Sequence, residues 1–457
     1  MKRKKKVYKE KIDSTHHMSH AQIIAMGYLL VILAGTLALL LPFATKEGQH
    51  TSFSEALFTA TSATCVTGLV VVDTASHWTM AGKLIILVMI QVGGLGFMTM
   101  GVMFAMLLKR TISLRVRGML QESMNSIQLG GVVKMARRVV LGTILVEGIG
   151  ALALMLVFIP QFGWGKGIFF GIFHSVSAFC NAGFDLMGMD YGEYSSFCAY
   201  SNHLWVNVVL MSLITIGAIG FFVWNDVLEK KFHFQQYKLH TKLALVSTGI
   251  IFFAGSVLFY FFERDGLMEH MGIRETVLTS MFSAVTPRTA GFNTIDTASL
   301  SNSSFLLTIV LMFIGGSPGS TAGGVKTVTI TVLAVYVWSN LRNETGCNIF
   351  GRRLPDEVIK KASNVLMLNL ALAVIAVITI SCLQPISLRD TLFEVFSAIG
   401  TAGMSTGVTR DLLLPSRLVI ILLMYCGRIG SMSFALSFTE RKKVAPVKLP
   451  EENVLIG

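Results

Sequence analysis

The sequence predicts an all-α membrane protein of four tandem helix, pore-loop, helix repeats around one pseudo-fourfold pore, with eight spanning helices. Three observations support this: an apolar composition with little charge, basic residues gathered on one side, and a glycine-ended motif that returns four times at nearly even spacing.

Of the 457 residues, 53% are hydrophobic and 14% charged, too little charge to cover a water-exposed surface of that length. Stretches 23–43, 84–108 and 243–262 are apolar on every face, with the roughly 20 residues that cross a bilayer. Lys2, Arg3, Lys4, Lys5 and Lys6 imitate the start of a signal peptide. The apolar run that follows is of full spanning length without a small-residue cleavage site, so it reads as a retained first helix behind a cytosolic tail.

The formal charge is +12, and its placement decides its meaning. Segments 1–22, 109–138, 225–242, 339–362 and 440–457 hold 27 of the 38 Lys and Arg. This positive-inside pattern puts both termini and the long inter-repeat loops in the cytosol and leaves nothing for nucleic-acid binding to explain. Six scattered cysteines, without paired spacing, call for neither zinc nor a disulfide framework.

The repeats follow from self-similarity. Residues 58–68 read FTATSATCVTG and 173–183 read FHSVSAFCNAG; shorter echoes are FSAVTPRTAG at 282–291 and FSAIGTAG at 396–403. The motifs end at Gly68, Gly183, Gly291 and Gly403, separated by 115, 108 and 112 residues, each followed by an apolar side chain (Leu69, Phe184, Phe292, Met404). Each glycine lies between two membrane-length segments and follows an apolar stretch of about ten residues, too short to cross and therefore re-entrant. The expected layout is a cytosolic tail at 1–22, repeats at 23–108, 137–224, 242–338 and 363–438, and a tail at 439–457. The spanning pairs are 23–43 with 82–108, 137–160 with 203–224, 242–262 with 303–338, and 363–384 with 416–438.

Non-helical backbone at membrane depth is tolerated where protein surrounds it or where it lines a watery path. Four short helices aimed at one axis would present negative carboxyl ends to the centre, where they favour a cation. The residues after them can replace a hydration shell with carbonyl oxygens. The candidate filter is Thr64, Cys65, Val66, Thr67 and Gly68; Phe179, Cys180, Asn181, Ala182 and Gly183; Arg288, Thr289, Ala290 and Gly291; and Gly400, Thr401, Ala402 and Gly403. No acidic ring occupies matching positions, which points to a weakly coordinated ion such as K⁺ rather than Ca²⁺.

On the segments SATCVTGL (62–69), SAFCNAGF (177–184), TPRTAGF (286–292), GTAGMSTG (400–407) and GGSPGSTAGGVKT (315–327), the chain resembles the Trk/Ktr/HKT superfamily of cation transporters along essentially its whole length, most closely its bacterial Ktr-type membrane subunits. The resemblance implies that the four glycines end selectivity-filter strands. A first-repeat serine accompanies Na⁺ preference in that family, and Gly68 stands there instead, as in K⁺-selective members. The filter departs from the TVGYG of ordinary K⁺ channels at nearly every position. The resemblance further implies K⁺ uptake in a bacterial plasma membrane, a homodimer with a pore in each chain, and a cytosolic ring of nucleotide-binding RCK subunits docked on the basic loops. K⁺ is the cargo, Na⁺ a candidate activator, and no covalent cofactor is implied.

The sixth span is interrupted by Gly315, Gly316, Ser317, Pro318, Gly319, Ser320, Thr321, Ala322, Gly323 and Gly324, which no stable helix can cross. Discontinuous helices at the midplane commonly lie at ion paths; a plain cytosolic loop is the alternative. In the resembled family this segment is an intramembrane loop that obstructs the pore beneath the filter. Gly319, Gly324, Lys326 and Thr327 come close to a phosphate-binding loop, but Val325 occupies the place of its lysine and no soluble strand precedes it. Arg428 lies near the middle of the last span, where lipid exposure would cost at least ~2.5–3.5 kcal/mol, so it is expected to face the pore and form the gate with 315–324. A structural arginine tied to carbonyls is the alternative there, and Lys326 shares the ambiguity. No nucleophile and base pairing suggests an enzyme, and a Na⁺ or mixed-cation transporter remains the rival on the same scaffold.

Overall fold

The computed structural model describes residues 18–108, 114–123, 131–231, 233–344 and 346–437. The two tails beyond these, parts of the basic loop 109–138, and the C-terminal end of the fourth repeat at Phe438 lie outside the described residues.

Four outer helices, His20–Leu39, Val132–Phe162, Leu239–Glu263 and Asp356–Leu383, are each long and apolar enough to cross a membrane. Their lipid-side residues are large and bare, among them Leu37, Leu152, Phe253 and Ile375. Such contiguous apolar exposure would be a liability in water and is what hydrocarbon solvates.

Each outer helix leads into a short pore helix: Phe53–Cys65, Trp164–Phe179, Ile273–Val285 and Leu388–Gly400. At ~1.5 Å per residue these reach only about 20–24 Å, which makes them re-entrant rather than spanning. The first begins with a reciprocal cap, Glu55 N donating to Ser52 Oγ at 3.3 Å and Ser52 N to Glu55 Oε2 at 2.8 Å. Phe58, Phe173, Phe282 and Phe393 occupy matching places in the four pore helices and are fully buried. The fourth repeat therefore aligns on Phe393, not on the Phe396 with which the sequence echo began.

The inner helices close the ring. Each packs on its own pore helix and on that of the next repeat, the fourth returning to the first. They are not straight, as the spans 82–108, 203–224 and 416–438 suggested. Met80–Leu95 and Phe97–Met103 meet at 96°, Leu204–Ile219 and Phe221–Lys230 at 94°, and Leu414–Ile429 gives way at Gly430 to Ser431–Ser437. The third inner helix is split into Asn302–Phe313 and Thr327–Leu341 by the glycine-rich segment.

Close packing sets where these breaks fall. A Cβ on Gly93, Gly217 or Gly427 would overlap the carbonyl oxygen of Thr64, Phe179 or Ile399 at the end of the adjoining pore helix. Three residues on, Gly96, Gly220 and Gly430 cap the first segments with φ of +81°, +102° and +93°. The inner helices thus touch the pore-helix ends through backbone, then turn away.

Candidate functional site

After each pore helix the chain turns through a left-handed residue two places before the terminal glycine: Val66 (φ +56°), Asn181 (+59°), Thr289 (+70°) and Thr401 (+51°). Thr64, Cys65, Phe179 and Gly400 still belong to the pore helices, so the non-helical stretch is shorter than the sequence suggested. Each turn is closed by backbone, with Thr67 N, Ala182 N and Ala402 N donating to the carbonyls of Ser62, Ser177 and Ser397 at 2.8 Å, and Ala290 N to Thr286 O at 2.9 Å.

The terminal glycines meet at the centre. Their φ values, +93°, +70°, +80° and +79°, are open to glycine and strained for other residues. A Cβ at Gly68, Gly183 or Gly291 would lie 2.5, 2.8 and 3.0 Å from the carbonyl oxygens of Ala182, Ala290 and Ala402, and one at Gly403 would overlap that of Thr67. The contacts run from repeat one to two, three, four and back to one. What results is a closed ring of backbone in which a Cβ on any member would crowd the neighbouring strand.

Above this ring the four glycines floor a cavity lined by Val70, Asp185, Asn293 and Ser405, each two residues beyond its glycine, and by Asp73, Tyr194 and Arg410. Two residues that sequence reasoning missed brace the cavity wall. His174 and Glu394, each following the buried phenylalanine of its pore helix, hold the chain beyond the glycines: Leu186 N donates to His174 Nε2 at 3.0 Å, and Glu394 accepts from Thr409 Oγ1 at 2.8 Å and from Ser405 Oγ. Aligning the repeats on those phenylalanines would have exposed them.

Below the ring lies segment 314–326, anchored at its base by Gly315 N to Val325 O at 2.9 Å and Thr327 N to Gly316 O at 3.0 Å. Rather than lying beneath the third loop, it reaches under the second and fourth. Thr321 Oγ1 donates to Phe179 O at 3.1 Å and sits 3.0 Å from Asn181 Oδ1, while Gly324 packs on Gly400 O and Gly323 on the Thr401 side chain. Ser317 N donates to Ala218 O at 2.9 Å and Phe221 N to Gly319 O at 2.8 Å, which ties the segment to the break of the second inner helix.

Arg428 joins the segment to the opposite wall. Its guanidinium donates to Thr321 O, to Gly93 O and, at 2.8 Å, to Gly94 O. The last two are carbonyls at the C-terminal end of Met80–Leu95, where a cation is favoured. Lys326 is partly exposed and folds back on its own segment, its Nζ donating to Ala322 O at 2.6 Å and Gly323 O at 3.2 Å. Arg288, among the filter candidates, turns its side chain away from the axis toward Thr248 Oγ1, 3.4 Å off, so only its backbone remains near the ring.

Residues 3–445 match the family described as TrkH, cation transport protein. The chain belongs to this family. TrkH-family relatives include the potassium/sodium uptake protein NtpJ of Enterococcus hirae, 41% identical over 96% of this chain and 98% of that protein. The Ktr system potassium uptake protein B of Bacillus subtilis is 36% identical over 98% and 99%, and its namesake in Vibrio alginolyticus 33% identical over 95% and 94%. The crystal structure of the potassium transporter TrkH from Vibrio parahaemolyticus superposes with a TM-score of 0.72 at 18% identity, covering 95% of this chain and 87% of that one, a likeness of fold. The chain is thus a multi-pass membrane protein of a cation-transport family with KtrB-type relatives, as its sequence motifs suggested.

Proposed function

We propose that this chain takes up K⁺ across a bacterial plasma membrane through a filter made of its four pore loops. The observation that carries this reading is the closed ring of Gly68, Gly183, Gly291 and Gly403, whose neighbouring strands present carbonyl oxygens and no carboxylates. Such a lining suits a weakly hydrated monovalent ion. The names of the relatives favour K⁺ and leave Na⁺ open as a second ion or an activator. Segment 315–324 and Arg428 act as the gate: a fixed positive charge and a glycine-rich plug lie directly below the ring and raise the barrier for a cation.

The two termini and basic loops 109–138, 225–242 and 339–362 face the cytosol by the positive-inside distribution. They form the docking face for a nucleotide-binding RCK ring that carries a homodimer of this chain. Neutralising these loops should abolish copurification with such a ring; persistence at full strength would refute the docking face.

The filter reading is tested by Gly68→Ser in purified vesicles. The new Cβ would press on the Ala182 carbonyl of the next strand, 2.5 Å away, and distort the ring. The K⁺/Na⁺ flux ratio should fall about fivefold or more, the equivalent of ~1 kcal/mol. An unchanged ratio in a folded, inserted protein would rule out this ring as the filter.

A further inference from the structure

Behind the second pore loop lies a carboxyl that the proposed filter and gate do not use. Glu147 sits midway along Val132–Phe162 and is 7% exposed. A carboxyl at membrane depth must find its partners within the protein. Gln91, on the first inner helix, donates from Nε2 to Glu147 Oε2 at 3.1 Å. The remaining oxygen, Oε1, lies 3.7 Å from Cys180 Sγ, which is also 3.6 Å from Gln91 Oε1. Three side chains from three elements thus close one small network, and its third member caps the second pore helix just before the left-handed Asn181.

The surroundings are built for this approach. Gly94 has no side chain where Cys180 Sγ arrives, 2.6 Å from where its Cβ would be. Ser175 Oγ donates to the Glu147 carbonyl at 2.7 Å, pinning the pore helix to the same turn of the outer helix. The corresponding positions of the other loops are Cys65, Arg288 and Gly400. Among the described residues no carboxyl is hydrogen-bonded to any of them, so the bracket belongs to the second repeat alone.

We propose that Glu147 and Gln91 are positioning residues that fix the second filter strand through Cys180 and thereby set K⁺ over Na⁺ discrimination. The inference rests on the filter reading above. Cys180 is three residues from Gly183, and a strand free to rotate there would swing the Ala182 carbonyl against which Gly68 packs.

The test is the K⁺/Na⁺ flux ratio of the full chain reconstituted in vesicles, for Glu147→Leu, Gln91→Leu and Glu147→Gln, with Gly68→Ser as control. Either leucine variant should lower the ratio about fivefold, as expected for the loss of a buried hydrogen bond. Glu147→Gln, which keeps an oxygen to accept and the same shape, should stay within about twofold of the parent. In a Cys180→Ala background Glu147→Leu should add nothing further. A parental ratio for both leucine variants, when Gly68→Ser has shifted its own, overturns the bracket and leaves the filter standing. Equal losses for Glu147→Gln and Glu147→Leu would show that charge matters instead of position, and also overturn it. If Gly68→Ser leaves the ratio unmoved, the filter reading itself fails and the bracket falls with it.

Discussion

The glycine ring and the segment beneath it are both glycine-rich and largely buried, and the segment touches the residues that lead into two of the ring's strands, yet the two are built on opposite plans. The ring repeats: each strand turns through a left-handed residue and meets the next in the same way, and three share one backbone closure while the third, from Ala290 N to Thr286 O, is one residue shorter. The segment occurs once, in the third repeat, and reaches diagonally under the second and fourth strands. Ring contacts are fixed backbone approaches with no room for an added atom. The segment is held partly by side-chain hydrogen bonds, from Thr321 and Arg428 to carbonyls that other donors or water could satisfy, beside its backbone bonds to Ala218 and Phe221. Symmetry with tight packing suits a site that must hold one geometry, whereas a singular element pinned by replaceable bonds suits one that moves.

The largest expected effect lies in the ring. A methyl group from Gly403→Ala would overlap the Thr67 carbonyl, and alanine at that φ costs roughly 1–2 kcal/mol before the overlap is relieved. K⁺ flux should fall at least tenfold in protein that still reaches the membrane, as measured by tracer uptake in vesicles. Near-parental flux would mean that the ring is slack and its symmetry unimportant.

An intermediate effect of opposite sign is expected below. Shortening 315–324, or Arg428→Ala, removes the bridge between the segment and the end of Met80–Leu95, and the arginine change also removes a fixed charge from the proposed cation path. Flux should rise several-fold and depend less on a cytosolic partner, while the K⁺/Na⁺ ratio stays where the ring sets it. A shortened loop that folds and conducts no faster would make the segment structural and remove the functional contrast with the ring.

The repeats were legible because four glycines needed at one ring leave a period in the sequence, and the interrupted sixth span because five glycines and a proline within ten residues break a helix. Arg428 showed itself through the cost of a charge at membrane depth. The breaks at Gly96, Gly220 and Gly430 did not, because one glycine in an apolar run is ordinary. Only when the repeats are stacked does the pairing of Gly93 with Gly96, Gly217 with Gly220 and Gly427 with Gly430 become a pattern. The reach of the segment under the second and fourth strands could not be read at all, since it depends on how the ring closes in space. Glu147 was hidden for a related reason: its partners Gln91 and Cys180 lie on other elements.

The smallest effect concerns the cavity above the ring. Asp185 lines it, and its carboxyl is pushed up to about 7, chiefly by burial and then by the neighbouring charge of Asp73. Above that pH it carries a negative charge over the filter entrance, and below it the proton removes the charge. Other groups at the same mouth temper it: Asp73 is engaged in capping Thr74–His77 and accepting from Tyr194 N, and Arg410 lies 4.0 Å over the Tyr194 ring. One charge near an ion in water-like surroundings is worth about 1 kcal/mol at ~4 Å and less farther out. Uptake at subsaturating K⁺ should therefore decline about two- to threefold as external pH falls from about 8 to 6. Asp185→Asn should fix uptake near the low value and flatten the profile, with the ratio set by the ring unchanged. An asparagine variant that keeps the parental pH dependence would move the titrating group elsewhere and leave the mouth as passive as the wall around it.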